Sequence, residues 1–379
     1  MAIKNTPKIV DLYCGCGGFG LGAELAGFHT VAAIDVDATL QSAYKLNFPN
    51  TQVINSDLSN FGKKEWNRIL ENIKIDGVIG GPPCQGYSRM GAADPSDPRR
   101  ELLIDYFRHV NLLSPRFFVM ENVEGLMDKR NVQQLHRALN ILDKKYTVLD
   151  PVVIDASQWG APTRRKRVIV IGFDAKRISP ITLADLLPPQ SYVTVGDAIK
   201  DIREPIEQSK DPLDFGWAPY KKTNNISNYA KSMRSYPPKG LGSTEAIRQL
   251  KKGRVSGNFN TIHSEHVKNR YQQLRQGETD TISRSKKLAW DGFCPTLRAG
   301  TGADKGSHQA VRPIHPAKGR VITVREAARL QGFPDWFCFH PTKWHSFRMI
   351  GNSVSPIVSK AILSKLYQLC TLDEVRLIA

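Results

Sequence analysis

The chain has 379 residues, 41% of them hydrophobic, and carries 53 Lys and Arg against 36 Asp and Glu, a formal charge of +17 at pH 7. That apolar content supports a substantial core in one large or two unequal domains and argues against a disordered chain, and without an apolar run of about 18 residues or a leader-like start we expect a cytoplasmic protein with no membrane partner. A pI near 9.6 argues against an enzyme of small anionic metabolites and favours a protein that neutralises nucleic-acid phosphates.

In chain order the first half alternates β-branched or apolar runs with helix-like segments. KIVDLY is followed by GLGAELAG, TVAAIDVD by ATLQSAYKLNF, and TQVINSD by IDGVIGG. RRELLIDYFRHVNLLS then leads to RFFVMENV, and NVQQLHRALNILDKK to YTVLDPVVI and KRVIVIGF. The alternation predicts an α/β fold with a parallel sheet covered by helices on both faces, and places ligands at the carboxyl ends of its strands. From Lys176 to Lys318 the periodicity fades into Pro, Gly, Ser, Asn and basic residues; 24 Lys and Arg against 13 Asp and Glu give this segment +11 of the total charge. It reads as a second, smaller, irregular basic domain. Order returns at TVREAARLQGFPDWF, where Thr323 and Glu326 make a capping box and Gly332 and Pro334 end a helix. A last helix is expected in SPIVSKAILSKLYQLC, with Pro356 in its first turn and Ile357, Ala361, Ile362 and Leu366 on the face that packs back on the sheet.

DLYCGCGGFG spells G-x-G-x-x-G at Gly15, Gly17 and Gly20 directly after the first strand. A plain turn, a dinucleotide loop and an S-adenosylmethionine loop all fit it, and Asp35, ending the second strand, suits the ribose of either ligand. Asp57 after the third strand suits an adenine amino group or a simple strand-end cap. The six cysteines, Cys14, Cys16, Cys84, Cys294, Cys338 and Cys370, form no C-x-x-C pair, so neither disulfides nor a zinc site are indicated. His263 and His266 lack further ligands at metal spacing and read as surface residues, so no metal is expected.

Cys84 stands apart, because GVIGGPPCQGYS holds it just beyond a buried strand on two prolines, where the sheet opens to ligand. Carbon 5 of cytosine is a poor nucleophile until a thiolate adds at carbon 6. Enzymes that methylate exocyclic amines carry Asn-Pro-Pro-Tyr or Asp-Pro-Pro-Tyr where this chain has Gly-Pro-Pro-Cys, which points to carbon methylation. The addition also needs a proton donor to N3, and Glu121 follows another buried strand in RFFVMENV.

These stretches, with GAPTRRKRVIVIGF, TVREAARLQGFP and GNSV, resemble the DNA (cytosine-5) methyltransferases in content and order from about residue 8 to 365. The resemblance implies a Rossmann-like methyltransferase sheet domain over 1–175, completed by about 340–379, and a target-recognition domain with its hinge over 176–339. It implies S-adenosylmethionine held by Tyr13, Gly15, Cys16, Gly18, Asp35, Val36, Asp57, Leu58, Pro83, Leu102, Asn352, Ser353 and Val354. Cys84 would be the nucleophile and Glu121 the acid, with Arg165 and Arg167 steadying a cytosine flipped out of double-stranded DNA. Gln85, Ser88, Arg284, Lys286, Lys287 and Arg298 are the expected DNA contacts. One departure stands out: Thr163 occupies the position where the family usually has glutamine.

A monomer acting in restriction-modification beside a separate endonuclease follows as an expectation from size. Three rivals are a transfer-RNA methyltransferase of the same fold, whose Cys-Phe-Thr signature is missing here, a silent DNA-binding relative, and a nicotinamide oxidoreductase. The retained thiol, acid and arginines speak against the second. The thiol turn and the charge speak against the third.

Overall fold

The computed structural model describes residues 6–83, 101–188, 191–209, 211, 213–299 and 312–378. Its first part builds β1 (Lys8–Leu12), α1 (Gly18–Ala26), β2 (His29–Asp35), α2 (Ala38–Asn47), β3 (Gln52–Asn55), α3 (Lys63–Leu70) and β4 (Gly77–Gly80). Then follow α4 (Glu101–Leu113), β5 (Phe117–Val123), α5 (Val132–Leu139), β6 (Tyr146–Val148), β7 (Val152–Asp155), β8 (Thr163–Arg164) and β9 (Lys166–Asp174). The main sheet has the order β3-β2-β1-β4-β5-β9-β6, with β7 also paired to β9. Helices cover both faces, as the alternation predicts: residues of α3, α4 and α5 bury Trp66, Tyr106, Phe107 and Leu135 on one side. The C-terminal helix joins α1 on the other, with Phe19, Phe28, Ile362 and Leu366 against Ile9 and Phe117.

The expectation of a wholly parallel sheet needs one correction. β1 to β5 pair in parallel, but β9 runs antiparallel to β5, β6 and β7. The physical reason is the connection, because only residues 156–165 separate β7 from β9 and so short a link returns the chain as a hairpin rather than a crossover. The run YTVLDPVVI, read as one strand, is two short ones along the same edge of β9; Pro151 between them has no N–H for the ladder. α3 was not among the expected helices, since KKEWNRIL is too short to declare a period although Trp66, Ile69 and Leu70 are buried.

The basic middle contains α6 (Val195–Ile199), β10 (Ala218–Pro219), α7 (Asn228–Met233), α8 (Thr244–Lys251), β11 (Arg254–Val255), α9 (Glu265–Gln273) and β12 (Cys294–Pro295). α10 (Val324–Gln331), α11 (Lys343–Asn352) and α12 (Pro356–Ile378) end the chain. Thr323 caps α10, Glu326 reaches back to the Thr323 N–H at 2.7 Å, and Gly332 stops the helix at φ 95°, all as the capping box requires. α12 starts at Pro356 and lies on α1 at contact distance: a Cβ on Gly22 would collide with Ser359. Among the described residues no helix is long and apolar enough to cross a membrane.

A buried ion network ties the middle of the chain to α10. Arg329, wholly buried, donates to Asp335 Oδ1 at 2.6 Å and Oδ2 at 2.7 Å, to Asp201 Oδ1 at 3.1 Å, and to the Ala198 carbonyl at 2.9 Å. Tyr220 donates to Asp335 at 2.5 Å, and Arg234 to Asp201 at 2.6 Å. Burial alone would push the Asp335 carboxyl up, but the Arg329 guanidinium reverses this and holds it below the usual carboxylate range. Removing one partner from such a network leaves buried charge uncompensated. Asp335→Ala is therefore expected to destabilise the protein by about 3–5 kcal/mol, read as a lowered urea midpoint.

Candidate active site

β1 ends in a turn that only unusual backbone conformations allow: Tyr13, Gly15 and Gly17 have φ of 55°, 54° and 96°, and Gly17 caps α1. The turn is fastened to β2 by the Gly15 N–H, which donates to Asp35 Oδ2 at 2.9 Å, while Asp35 Oδ1 accepts from the Asp37 N–H at 2.8 Å. Burial raises the Asp35 carboxyl above its ordinary value in spite of these bonds. Val36 follows with 71% of its surface exposed, a large apolar side chain facing a cavity. Asp57, after β3, accepts from the Ser59 N–H at 2.9 Å, and the Tyr13 hydroxyl donates to the Leu102 carbonyl on α4 at 3.2 Å.

The last helices close this wall from far along the chain. Ser353 Oγ lies 3.0 Å from Cys16 Sγ and donates to the Met349 carbonyl at 2.6 Å. The Val354 carbonyl stands so close to Gly18 that a Cβ there would collide with it, which is why the first turn of α1 needs a glycine. Asn352 is the final residue of α11, a helix the apolar pattern did not announce. The enclosed cavity measures about 460 Å³, and every residue expected at the cofactor lines it, from Tyr13 and Gly15 through Pro83 and Leu102 to Val354.

Glu121, Arg165 and Arg167 line the same cavity. In the β5–β9 register Glu121 faces Ile169 and Val123 faces Arg167, so Glu121 and Arg167 are diagonal neighbours on one face. Arg167 Nε lies 2.8 Å from Glu121 Oε1. The Gly81–Pro82–Pro83 turn sits against this acid: a Cβ on Gly81 would lie 3.5 Å from Glu121 Oε2, and Asn122 Nδ2 donates to the Pro82 carbonyl at 3.2 Å. Arg165 is buried and donates to the Leu297 and Gly351 carbonyls at 3.2 and 3.1 Å, joining the middle segment to α11. Thr163 is also buried, its hydroxyl donating to the Cys294 carbonyl at 3.2 Å where β8 and β12 pair in parallel.

Cys84, Gln85 and Ser88 lie outside the described residues. Every described cysteine is buried, and burial pushes the thiols of Cys14, Cys16, Cys294 and Cys338 above their ordinary value, Cys16 to about 12, so these four are not poised as thiolates at neutral pH. Of the expected DNA contacts, Arg284, Lys286 and Arg298 are exposed and are not among the residues lining the cavity. Lys287 is a correction, for it is buried and its ammonium donates to the Tyr271 and Gln272 carbonyls at 3.0 and 3.1 Å, facing the fold rather than a partner.

Among the cavity residues that escaped sequence reasoning are Asp11 and Arg348. Asp11, in β1, is fully buried, accepts from the Tyr44 hydroxyl at 3.2 Å, and is pushed up to about 8, chiefly by burial. Its signal was legible as an acid inside an apolar strand. Arg348, on α11, pairs with Asp37 at the cavity rim. Nothing local distinguishes it from a solvated helical arginine.

Comparison with known proteins agrees with this architecture. The profile of the C-5 cytosine-specific DNA methylase family matches residues 7–368. The type II methyltransferase M.XorII of Xanthomonas oryzae is 39% identical over 362 residues, covering 94% of this chain and 83% of that protein. M.DdeI of Desulfomicrobium norvegicum, also a type II methyltransferase, is 30% identical over 395 residues, covering 95% of this chain and 88% of that protein. Among solved structures, a prophage-encoded candidate DNA modification methyltransferase from E. coli superposes with a TM-score of 0.86 at 40% identity, covering 96% of this chain and 99% of that one. The chain belongs to the C-5 cytosine-specific DNA methylase family and is a DNA (cytosine-5-)-methyltransferase.

Proposed function

We propose that the protein methylates carbon 5 of a cytosine extruded from a specific double-stranded DNA sequence, with S-adenosylmethionine as methyl donor and Cys84 as covalent nucleophile. The observation that carries this reading is the single cavity in which Glu121, the Pro82–Pro83 turn leading to Cys84, and the glycine turn with Asp35 meet. Its volume of about 460 Å³ suits a ligand of this size. Asp35 suits the ribose hydroxyls, the exposed face of Val36 the adenine ring, Asp57 the adenine amino group, and Gly15, Cys16, Gly18, Ser353 and Val354 the methionine end. When bound, S-adenosylmethionine supplies a methyl group on a sulfonium, the electrophile that carbon 5 needs.

The residues of the chain do the rest. The Cys84 thiolate bonds to carbon 6 as Glu121 gives a proton to N3, so that no charge builds on the ring. Arg167, beside Glu121 at 2.8 Å, orients the acid, and Arg165 and Arg167 steady the extruded base by preorganised charge. After methylation, water takes the carbon 5 proton as the carbon 6–sulfur bond breaks to return the Cys84 thiolate, and N3 gives its proton back to Glu121, which restores the ring. Extrusion itself costs a few kcal/mol, which contacts to the DNA backbone must offset.

We assign 1–175 and about 340–379 to catalysis and 176–339, with most of the excess positive charge, to target recognition and the hinge. The names of the curated relatives, type II methyltransferases, support restriction-modification as the setting; a monomer acting in the cytoplasm beside a separate endonuclease is proposed from size alone.

Cys84→Ala is expected to abolish transfer of labelled methyl to duplex DNA while gel shifts still register binding; turnover retained in that variant would overturn the covalent route. Glu121→Gln is expected to lower kcat by about 10²–10⁴ with KM for DNA changed only a few-fold, in steady-state kinetics. Bisulfite sequencing of plasmid from expressing cells should map one methylated cytosine context, whereas methylation of transfer RNA instead would favour the RNA rival.

A further inference from the structure

The run Thr163–Arg167 alternates in burial: Thr163 and Arg165 point inward, while Arg164 and Lys166 are exposed. This is the period of an extended strand, which sends successive side chains to opposite faces. The inward cations belong to the catalytic cavity, but Arg164 and Lys166 line a second, more open cavity of about 630 Å³ that borders the first and shares Arg167 and Val123 with it. Opposite them stand two aromatic rings. Tyr192 is 69% exposed, and its ring lies 6.5 Å from that of Phe293, over which the Arg164 guanidinium is held at 5.5 Å.

The acids in this cavity do not neutralise it. Asp155 is engaged locally, accepting from the Ser157 N–H at 3.1 Å, the Ser157 hydroxyl at 2.9 Å and the Arg165 N–H at 3.2 Å. Glu124 meets Lys166 only at 3.6 Å, both side chains being well exposed, a weak pair that a phosphate can displace. Arg164 pairs with no carboxylate among the described residues. Two fixed cations beside an exposed tyrosine, one wall away from the pocket for an extruded base, make a site for a phosphate with a stacked base.

We infer that this second cavity holds the nucleotide next to the extruded cytosine on the same strand, its phosphate on Arg164 and Lys166 and its base against Tyr192. The inference rests on the function proposed above. Its physical role is to hold the strand open: a neighbouring base taken up on an aromatic ring no longer restacks into the gap that the cytosine left.

The test uses the full chain and a duplex carrying its mapped target cytosine. In gel shifts across a salt series, the double variant Arg164→Gln/Lys166→Gln is expected to lower the slope of log affinity against log salt by about 1, since one phosphate contact contributes about 0.9. Tyr192→Ala is expected to raise KM for that duplex about tenfold with kcat little changed, and Tyr192→Phe to behave as wild type. On one of two duplexes bearing an abasic site 5′ or 3′ of the target, the ratio of variant to wild-type KM should fall to about one. An unchanged salt slope, or a Tyr192→Ala penalty that survives on both abasic duplexes, overturns the inference. A wild-type protein that methylates no plasmid cytosine would instead sink the functional reading, and this inference with it.

Discussion

The antiparallel insertion of β9 beside β5 is the constraint on which the site depends. Because β9 runs against its neighbours, its start rather than its end lies at the ligand-bearing rim, and Arg167 lands diagonally from Glu121. A parallel strand in the same slot would deliver its carboxyl end there and carry the two arginines to the far edge. Just before β9, Thr163 and Arg164 pair with Cys294 and Pro295 of the basic middle of the chain.

From that junction outward the molecule is held by polar bonds as much as by apolar packing. Arg165 holds carbonyls of the middle segment and of α11 together, and Arg329 joins Asp201, Asp335 and Ala198 in the buried interior. Buried ion networks of this kind contribute little net stability over an apolar core, whereas loss of one partner leaves a buried charge uncompensated. Fixed geometry suits an enzyme whose cavity is walled by segments far apart in the chain, because small displacements of reacting groups are expensive in rate.

Strand alternation gives TRRKR two uses at once. Its inward cations meet Glu121 and the chain's own carbonyls, and its outward cations face solvent beside Tyr192 and Phe293. A run of four basic residues in five positions would repel itself on a single face. Divided between two faces, each pair of charges has its own surroundings.

The sequence by itself determined what is local. The glycines of the first turn, Asp35 and Asp57 at successive strand ends, the Thr323–Glu326 capping box and the Pro356 start of α12 are each legible because the physics involved spans a few residues, namely backbone freedom, strand period and caps. Tertiary structure alone decided the direction of β9, the inward turn of Lys287, and the meeting of Cys16 with Ser353 across 337 positions. It also decided that Arg348 reaches the cavity rim through Asp37. In each of these the deciding partner is distant in the chain, and a residue's own neighbours carry no signal of which carbonyl, thiol or carboxylate the fold will bring to it.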